Sequence, residues 1–160
     1  MCKSGANSDF SKLQEDMMHY ALSLAQTAAS RDEVPIAAVL YTAAGDVVAA
    51  GYNQTIGESD TTAHAEVVAL RRACRLRGNY RLPDLHMAVT LEPCAMCIGA
   101  VFHARLPQLL YAAADEKSGA CGSVVNLPEY RLLNHHTQVQ GGLCATESAT
   151  LLRDFFNKRR

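Results

Sequence analysis

Cys94 and Cys97 stand three apart, directly after Pro93, in "LEPCAMCIGAVFHARLP". Such a pair can be a redox dithiol, half of a structural zinc site, or part of a catalytic metal site. The chain holds no second Cys-x-x-Cys, so a closed four-cysteine site built from two such pairs is excluded. A closed site completed by another histidine stays open. Catalytic zinc takes three protein ligands and leaves one position for water or substrate. Two cysteines three apart in a first helical turn can turn both sulfurs to one centre. A helix N-terminus also favours the thiolate, the form that binds metal. The candidate third ligand is His64 in "TAHAEVV", where another helix begins. Glu66 follows two residues later. Residues two apart on a helix point in different directions, so Glu66 is expected beside the open position as an acid/base rather than as a co-ligand. Zinc lowers the pKa of water held there to ~7, within reach of a carboxylate at neutral pH.

Each piece has a plainer reading. His-Ala-Glu can be a helix start whose early acid is favoured by the helix dipole. A lone Cys-x-x-Cys is non-specific. Together, each at a strand-to-helix junction, they form the H-x-E…P-C-x-x-C combination established as the signature of zinc nucleobase deaminases. A thioredoxin-like dithiol would need no His-x-Glu partner.

The elements that must carry these residues follow from periodicity. Phe10, Leu13, Met17, Ala21, Leu24 and Ala28 recur at three and four, which predicts an amphipathic helix with Asn7, Ser8 or Asp9 as cap. "VPIAAVLY" reads as a buried strand, "AAGD" as a turn and "VVAAGYN" as an antiparallel second strand. "AHAEVVALRRACRLRG" is helical and ends near Gly78, and "LHMAVTL" is a strand. Pro93 is expected in the first turn of the next helix, where its missing N–H is not needed. "QLLYAAA" is a fourth strand. Residues 124–143 suggest a short helix and a short strand. The final helix, "TESATLLRDFFNKRR", puts Ala145, Ala149, Leu152 and Phe156 on one face. Strands alternating with helices predict a three-layer α/β/α fold, a mixed sheet with helices on both faces.

Bulk properties narrow the class. The 160 residues, 49% hydrophobic and 19% charged, suit one globular domain spanning 1–160. No apolar run approaches the ~20 residues a bilayer needs, and "MCKSGANSDF" lacks the apolar core of a secretory signal. A cytoplasmic protein is expected, whose reducing surroundings disfavour disulfides among the six cysteines. Net charge is −1, yet residues 1–70 carry three basic and nine acidic side chains, whereas 71–160 carry twelve and seven. A basic face can hold a polyanion behind a neutral total, although a solvated charged surface gives the same count. Arg71, Arg72, Arg75, Arg77 and Arg81 read as a solvated helix face. Cys74, Cys121 and Cys144 read as structural, and His19, His86 and His103 have no ligand-like partners.

Beyond the zinc motif, "RDEVP", "GYNQTIG", "TAHAE", "NYRL", "TLEPCAMC", "DEKSGACGS", "LNHH" and "LLRDFFNKRR" carry a wider likeness. On these segments the chain, from about Phe10 to Arg160, resembles the bacterial tRNA-specific adenosine deaminases of the cytidine deaminase-like fold, which implies a five-stranded sheet. The zinc motif is shared with cytosine, guanine and cytidine deaminases; the segments after Asp115 are what point to tRNA. The resemblance implies one zinc per chain on His64, Cys94 and Cys97, with Glu66 as proton shuttle. It implies that Asn53 contacts the flipped nucleoside and that the backbone of Ala65 orients the base. Asp115, Lys117, Asn134, His135, Phe156 and the terminal arginines fall where the family meets the anticodon stem-loop. A homodimer is implied, with RNA contacts from both subunits. The implied reaction converts adenosine to inosine at the wobble position, releasing ammonia. By composition alone, Asn134-His135-His136 could be a second metal site; the resemblance favours RNA contact. Two departures stand out: Ala37 replaces the usual glycine, and the chain stops at Arg160 without a longer basic tail. The competing readings are a zinc deaminase of free guanine or cytosine, which would share every catalytic residue, and a non-catalytic zinc-binding RNA module, against which Glu66 argues.

Overall fold

Residues Ala37 to Tyr41 are all buried, a run that cannot lie on a one-sided sheet and must be covered on both faces. The computed structural model, which describes residues 10–159, covers it in that way. The elements, in chain order, are α1 (Lys12–Ser30), β1 (Ala37–Thr42), β2 (Val47–Tyr52), α2 (Ala65–Arg77), β3 (Leu85–Leu91), α3 (Ala95–Ala104), β4 (Gln108–Ala113), β5 (Gln138–Gly141) and α4 (Ala145–Asn157). The sheet order is β2-β1-β3-β4-β5. β1 pairs antiparallel with β2 and β3; β3–β4 and β4–β5 are parallel. The expected mixed, three-layer α/β/α architecture is therefore present.

Strand alternation sorts the core into two halves. Ala38 and Leu40 of β1 face one cluster, with Ala69 and Ala73 of α2 and Ile98 and Val101 of α3. Val39 and Tyr41 face the other, with Met18 and Ala21 of α1 and Leu143 and Cys144 at the head of α4. Ala37 is buried and its amide donates to Thr90 Oγ1 (3.1 Å), which ties the start of β1 to β3.

Several local expectations shift. The cap residues expected for α1, Asn7, Ser8 and Asp9, lie outside the described residues. The N-cap is Ser11, in a capping box with Gln14. The buried stripe of α1 is Met18, Ala21, Ala25 and Ala28, with Leu13, Met17 and Leu24 packed at its margin. Pro93 precedes the N-cap of α3, Cys94, rather than entering the first turn. In α4 the buried residues are Ser148 and Phe155, while Phe156 is exposed. The cause is polar: the Ser148 hydroxyl donates to the Thr90 carbonyl of β3 and fixes the helix's rotation. Gly78 ends α2 in the left-handed conformation (φ 60°), as expected.

The parallel crossover from β4 to β5, residues 114–137, contains no helix. The short helix expected within 124–143 is replaced by turns.

The seat of α2 on the sheet depends on Gly51. A Cβ there would lie 2.8 Å from Ala69 N and 2.9 Å from Ala65 O, both backbone atoms of α2. Gly51→Ala is therefore expected to destabilise the fold by about 1–3 kcal/mol, as overpacking does elsewhere. Urea denaturation of the purified variant, with a midpoint matching the parent, would refute this close approach.

Candidate active site

Two helices begin side by side at the end of the sheet, and each places a metal-type donor on its N-cap. His64 caps α2 (φ −70°, ψ 152°) and Cys94 caps α3 (φ −74°, ψ 173°). Neither side chain makes an N-cap hydrogen bond. An N-cap that does not cap forgoes about 1 kcal/mol relative to Ser, Thr, Asp or Asn. Both side chains turn instead to one point. His64 Nδ1 lies 3.8 Å from Cys94 Sγ and 3.5 Å from Cys97 Sγ. The three donor atoms all fall within 4.8 Å of one another.

These separations fit zinc. Zn–S bonds of ~2.3 Å and Zn–N bonds of ~2.0–2.1 Å at tetrahedral angles imply N···S edges of about 3.5 Å. Cys94 and Cys97 are free thiols, and a nitrogen with two sulfurs is a donor set that zinc prefers. Hydrogen bonding from Cys97 and His64 pushes the Cys94 thiol down to about 4. The same bond to Cys94, together with burial, pushes Cys97 up. The Cys94 contact also raises His64. Both sulfurs bind metal as thiolates, so metal binding releases the protons they hold.

Glu66 sits in the first turn of α2, 4% exposed, and burial raises its pKa. His64, Cys94 and Cys97 all lie within its electrostatic reach. Asn53, at the end of β2 and 6% exposed, accepts a hydrogen bond from the Ala65 amide at 2.9 Å. The amide at the start of α2 is thus capped from a neighbouring strand, which leaves His64 free of that duty. Asn53 and Ala65, named separately from the sequence, are tied directly to each other.

The remaining sequence candidates are dispersed. Asp115 accepts from the Lys117 and Ser118 amides (3.0 and 3.3 Å) and from Ser118 Oγ (2.6 Å), so its carboxylate shapes a turn. Burial alone would raise the Asp115 pKa, but these donors outweigh it and hold it below the usual range. Lys117 and Asn134 are exposed. His135 Nε2 bonds the Leu106 carbonyl at 2.8 Å, and its ring packs edge-on to Phe102. His136 instead approaches the Pro128 carbonyl through Nδ1 (3.3 Å), so the two neighbouring rings bond different backbone groups. Phe156 is exposed on α4, and Arg159 is engaged by Asp32 (2.9 Å) and stacked over Phe155. Arg160 lies outside the described residues.

Two buried carboxylates were missed from the sequence. Glu92, 2% exposed, accepts from the amides of Asp115 (3.0 Å), Cys121 (2.9 Å) and Ser123 (3.1 Å) and from the Ser123 hydroxyl. Glu33 accepts from the amides of Ile56 (3.2 Å) and Gly57 (2.6 Å), in the loop that leads to His64. The available signal was an acid at the end of an otherwise apolar strand, one residue before the Pro-Cys.

Comparison with known proteins gives the same picture. Residues 11–113 match the family model described as the cytidine and deoxycytidylate deaminase zinc-binding region. The chain is 43% identical over 150 residues to the tRNA-specific adenosine deaminase of Haemophilus influenzae, covering 94% of this chain and 87% of that one. A solved structure from work on A-to-I editing by tRNA:A34 deaminases at the wobble position superposes with a TM-score of 0.82 at 44% identity, covering 86% and 99% of the two chains. A guanine deaminase from Nitrosomonas europaea shares the fold with a TM-score of 0.73 at 28% identity, covering 88% and 83%.

Removing the imidazole should empty the donor triangle. His64→Ala is expected to lose bound metal, whereas the parent holds one zinc per chain; atomic absorption on dialysed protein measures both. Zinc retained at one per chain in the variant would remove His64 from the site.

Proposed function

Because the chain belongs to the tRNA-specific adenosine deaminases, within the cytidine and deoxycytidylate deaminase zinc-binding family, we propose that it hydrolyses adenosine to inosine at the wobble position of a tRNA anticodon loop. The observation that carries this reading is the buried Glu66 beside three converging zinc donors. His64, Cys94 and Cys97 would hold the metal, and residues 1–160 would act as one deaminase domain. Zinc, when bound, acidifies water and polarises the reacting centre. Glu66 removes a proton from the attacking water and delivers it to N1 of adenine. It then takes the remaining proton from the oxygen added at C6 and passes it to the amine there, so that the C6–N bond breaks, the C6 carbonyl forms and ammonia departs. Asn53 holds the start of α2, and with it Glu66, in a fixed position through the Ala65 amide. The target base must be unstacked to enter such a site, which a loop nucleotide permits more cheaply than a paired one.

RNA contact is assigned to Asp115, Lys117, Asn134, His135 and Phe156. Lys117, Asn134 and Phe156 are exposed, whereas the Asp115 carboxylate and His135 Nε2 hold backbone groups. Their part in binding is then to shape the loops that carry their neighbours. The excess of basic residues after position 70 supports phosphate binding, with the salt dependence that counterion release brings. A homodimer is proposed as well. It is supported by a largely apolar groove of about 490 Å³ on the α2–α3 face, whose lining includes Val67, Leu70, Tyr80 and Ala100 together with Arg71, Arg75 and His103. Among the described residues no helix is long and apolar enough to cross a membrane, in keeping with a cytoplasmic enzyme.

The likeness to a guanine deaminase keeps the free-base reading as the competitor. Inosine formation on an RNA hairpin with adenosine in its loop, with no turnover of free guanine or cytosine, is the expected result. Turnover of a free base without turnover of the hairpin would overturn the assignment. Glu66→Gln is expected to keep one zinc per chain and lose at least about a hundredfold in kcat, the low end for a general acid–base group. Full activity in that variant would end the proposed role.

A further inference from the structure

The Glu92 carboxylate is used by neither the metal donors nor the proton transfer, yet it is among the most heavily bonded side chains near the site. Its Oε1 accepts from the Cys121 and Ser123 amides, and its Oε2 from the Asp115 amide and the Ser123 hydroxyl. Three backbone donors of a loop that forms no helix are satisfied here by one side chain. Glu92 leads directly through Pro93 to Cys94. The same loop is pinned to that turn by two further contacts: the Ala120 amide donates to the Pro93 carbonyl (2.8 Å), and Gly119 pairs with Cys94 in an isolated bridge. Gly119 has no room for a side chain. A Cβ there would lie 2.4 Å from Glu92 Cδ and 2.6 Å from the Asp115 carbonyl.

We propose that Glu92 is a positioning residue for substrate: its carboxylate clamps residues 115–123 against the Cys94 turn and so fixes one wall of the site. Cys94 is bridged to Gly119 of the clamped loop but also has an anchor of its own. It is held at the head of α3, where the Ile98 amide donates to its carbonyl (3.0 Å), and Cys97 follows on the same helix. Loss of the clamp therefore displaces the wall and leaves the zinc donors and Glu66 in position. The consequence is weaker substrate binding with chemistry preserved. The proposal rests on the reading of this centre as the site of adenosine deamination.

Glu92→Gln keeps the shape of the side chain and replaces one acceptor oxygen with an amide nitrogen, which faces N–H donors it cannot accept from. The variant is expected to retain one zinc per chain. Amide exchange at Asp115, Cys121 and Ser123 should accelerate by about tenfold or more as the clamp opens locally. On the RNA hairpin KM should rise by about tenfold while kcat stays within about threefold, the pattern of lost uniform binding. Gly119→Ala, which wedges the same contact from the other side, should reproduce this split. Ser123→Ala, which removes a single donor, should show it in milder form and guards against a misfolded Glu92 variant. Unchanged amide exchange overturns the clamp, and this measurement needs no substrate. Zinc loss, a defect confined to kcat, or an unchanged KM in protein whose parent turns over the hairpin overturns the positioning role. A parent that does not deaminate the hairpin overturns the functional reading itself, and the proposed wall for that substrate with it.

Discussion

One geometric requirement organises the molecule: three donors from two helices must meet within bonding distance of a single ion. α2 and α3 satisfy it by starting at neighbouring positions along one end of the sheet, each with its donor on the N-cap. That placement has a local cost, since neither donor caps its helix. The cost is offset elsewhere. Asn53 reaches from β2 to bond the Ala65 amide, and a helix N-terminus unsatisfied by its own residues is served by a strand. Gly51, next to Asn53 but one, lets α2 approach β2 closely enough for that bond to form. The close approach of helix to strand and the cap from the strand are one arrangement.

The loops at this end of the sheet obey the same logic. Each is anchored by a buried carboxylate that collects backbone amides: Glu33 for the loop that runs into His64, Glu92 for the loop that leans on Cys94. A loop with unpaired amides cannot be buried cheaply. An acid at the right point on a rigid element solves that problem without adding secondary structure.

How far this could be read in advance depended on whether a feature is local in sequence. The donors and Glu66 were legible because their spacing relative to two helix starts is itself the signal. The first four strands were legible from apolar runs, and α2 from its glycine stop at Gly78, whereas β5, Gln138–Gly141, has no apolar run to mark it. The rotations of α1 and α4 were not. Apolar spacing leaves neighbouring faces nearly equivalent, and the choice in α4 is made by Ser148 bonding Thr90, a contact spanning 58 positions. Glu33 and Glu92 were hidden for a similar reason. A glutamate looks like a surface residue until the amides it binds, more than twenty positions away, are folded around it.

The three buried glutamates near the site show how one residue type takes opposite roles. Glu92 accepts four hydrogen bonds; burial alone would raise its pKa, but those donors outweigh burial and hold it below the usual carboxylate range. A carboxylate held in this way keeps its charge and its place, which suits an anchor and makes a poor proton carrier. Glu66 is buried beside groups that a metal would bind, with burial as the dominant influence, so its charged form is disfavoured. A side chain that gains little from staying ionised can both accept and return a proton, which is what acid–base work on a purine requires. The difference lies not in the residue but in how many amide donors surround it. In the proposed reaction Glu66 would be free to move protons, because backbone around the site is held by Asn53, Glu33 and Glu92.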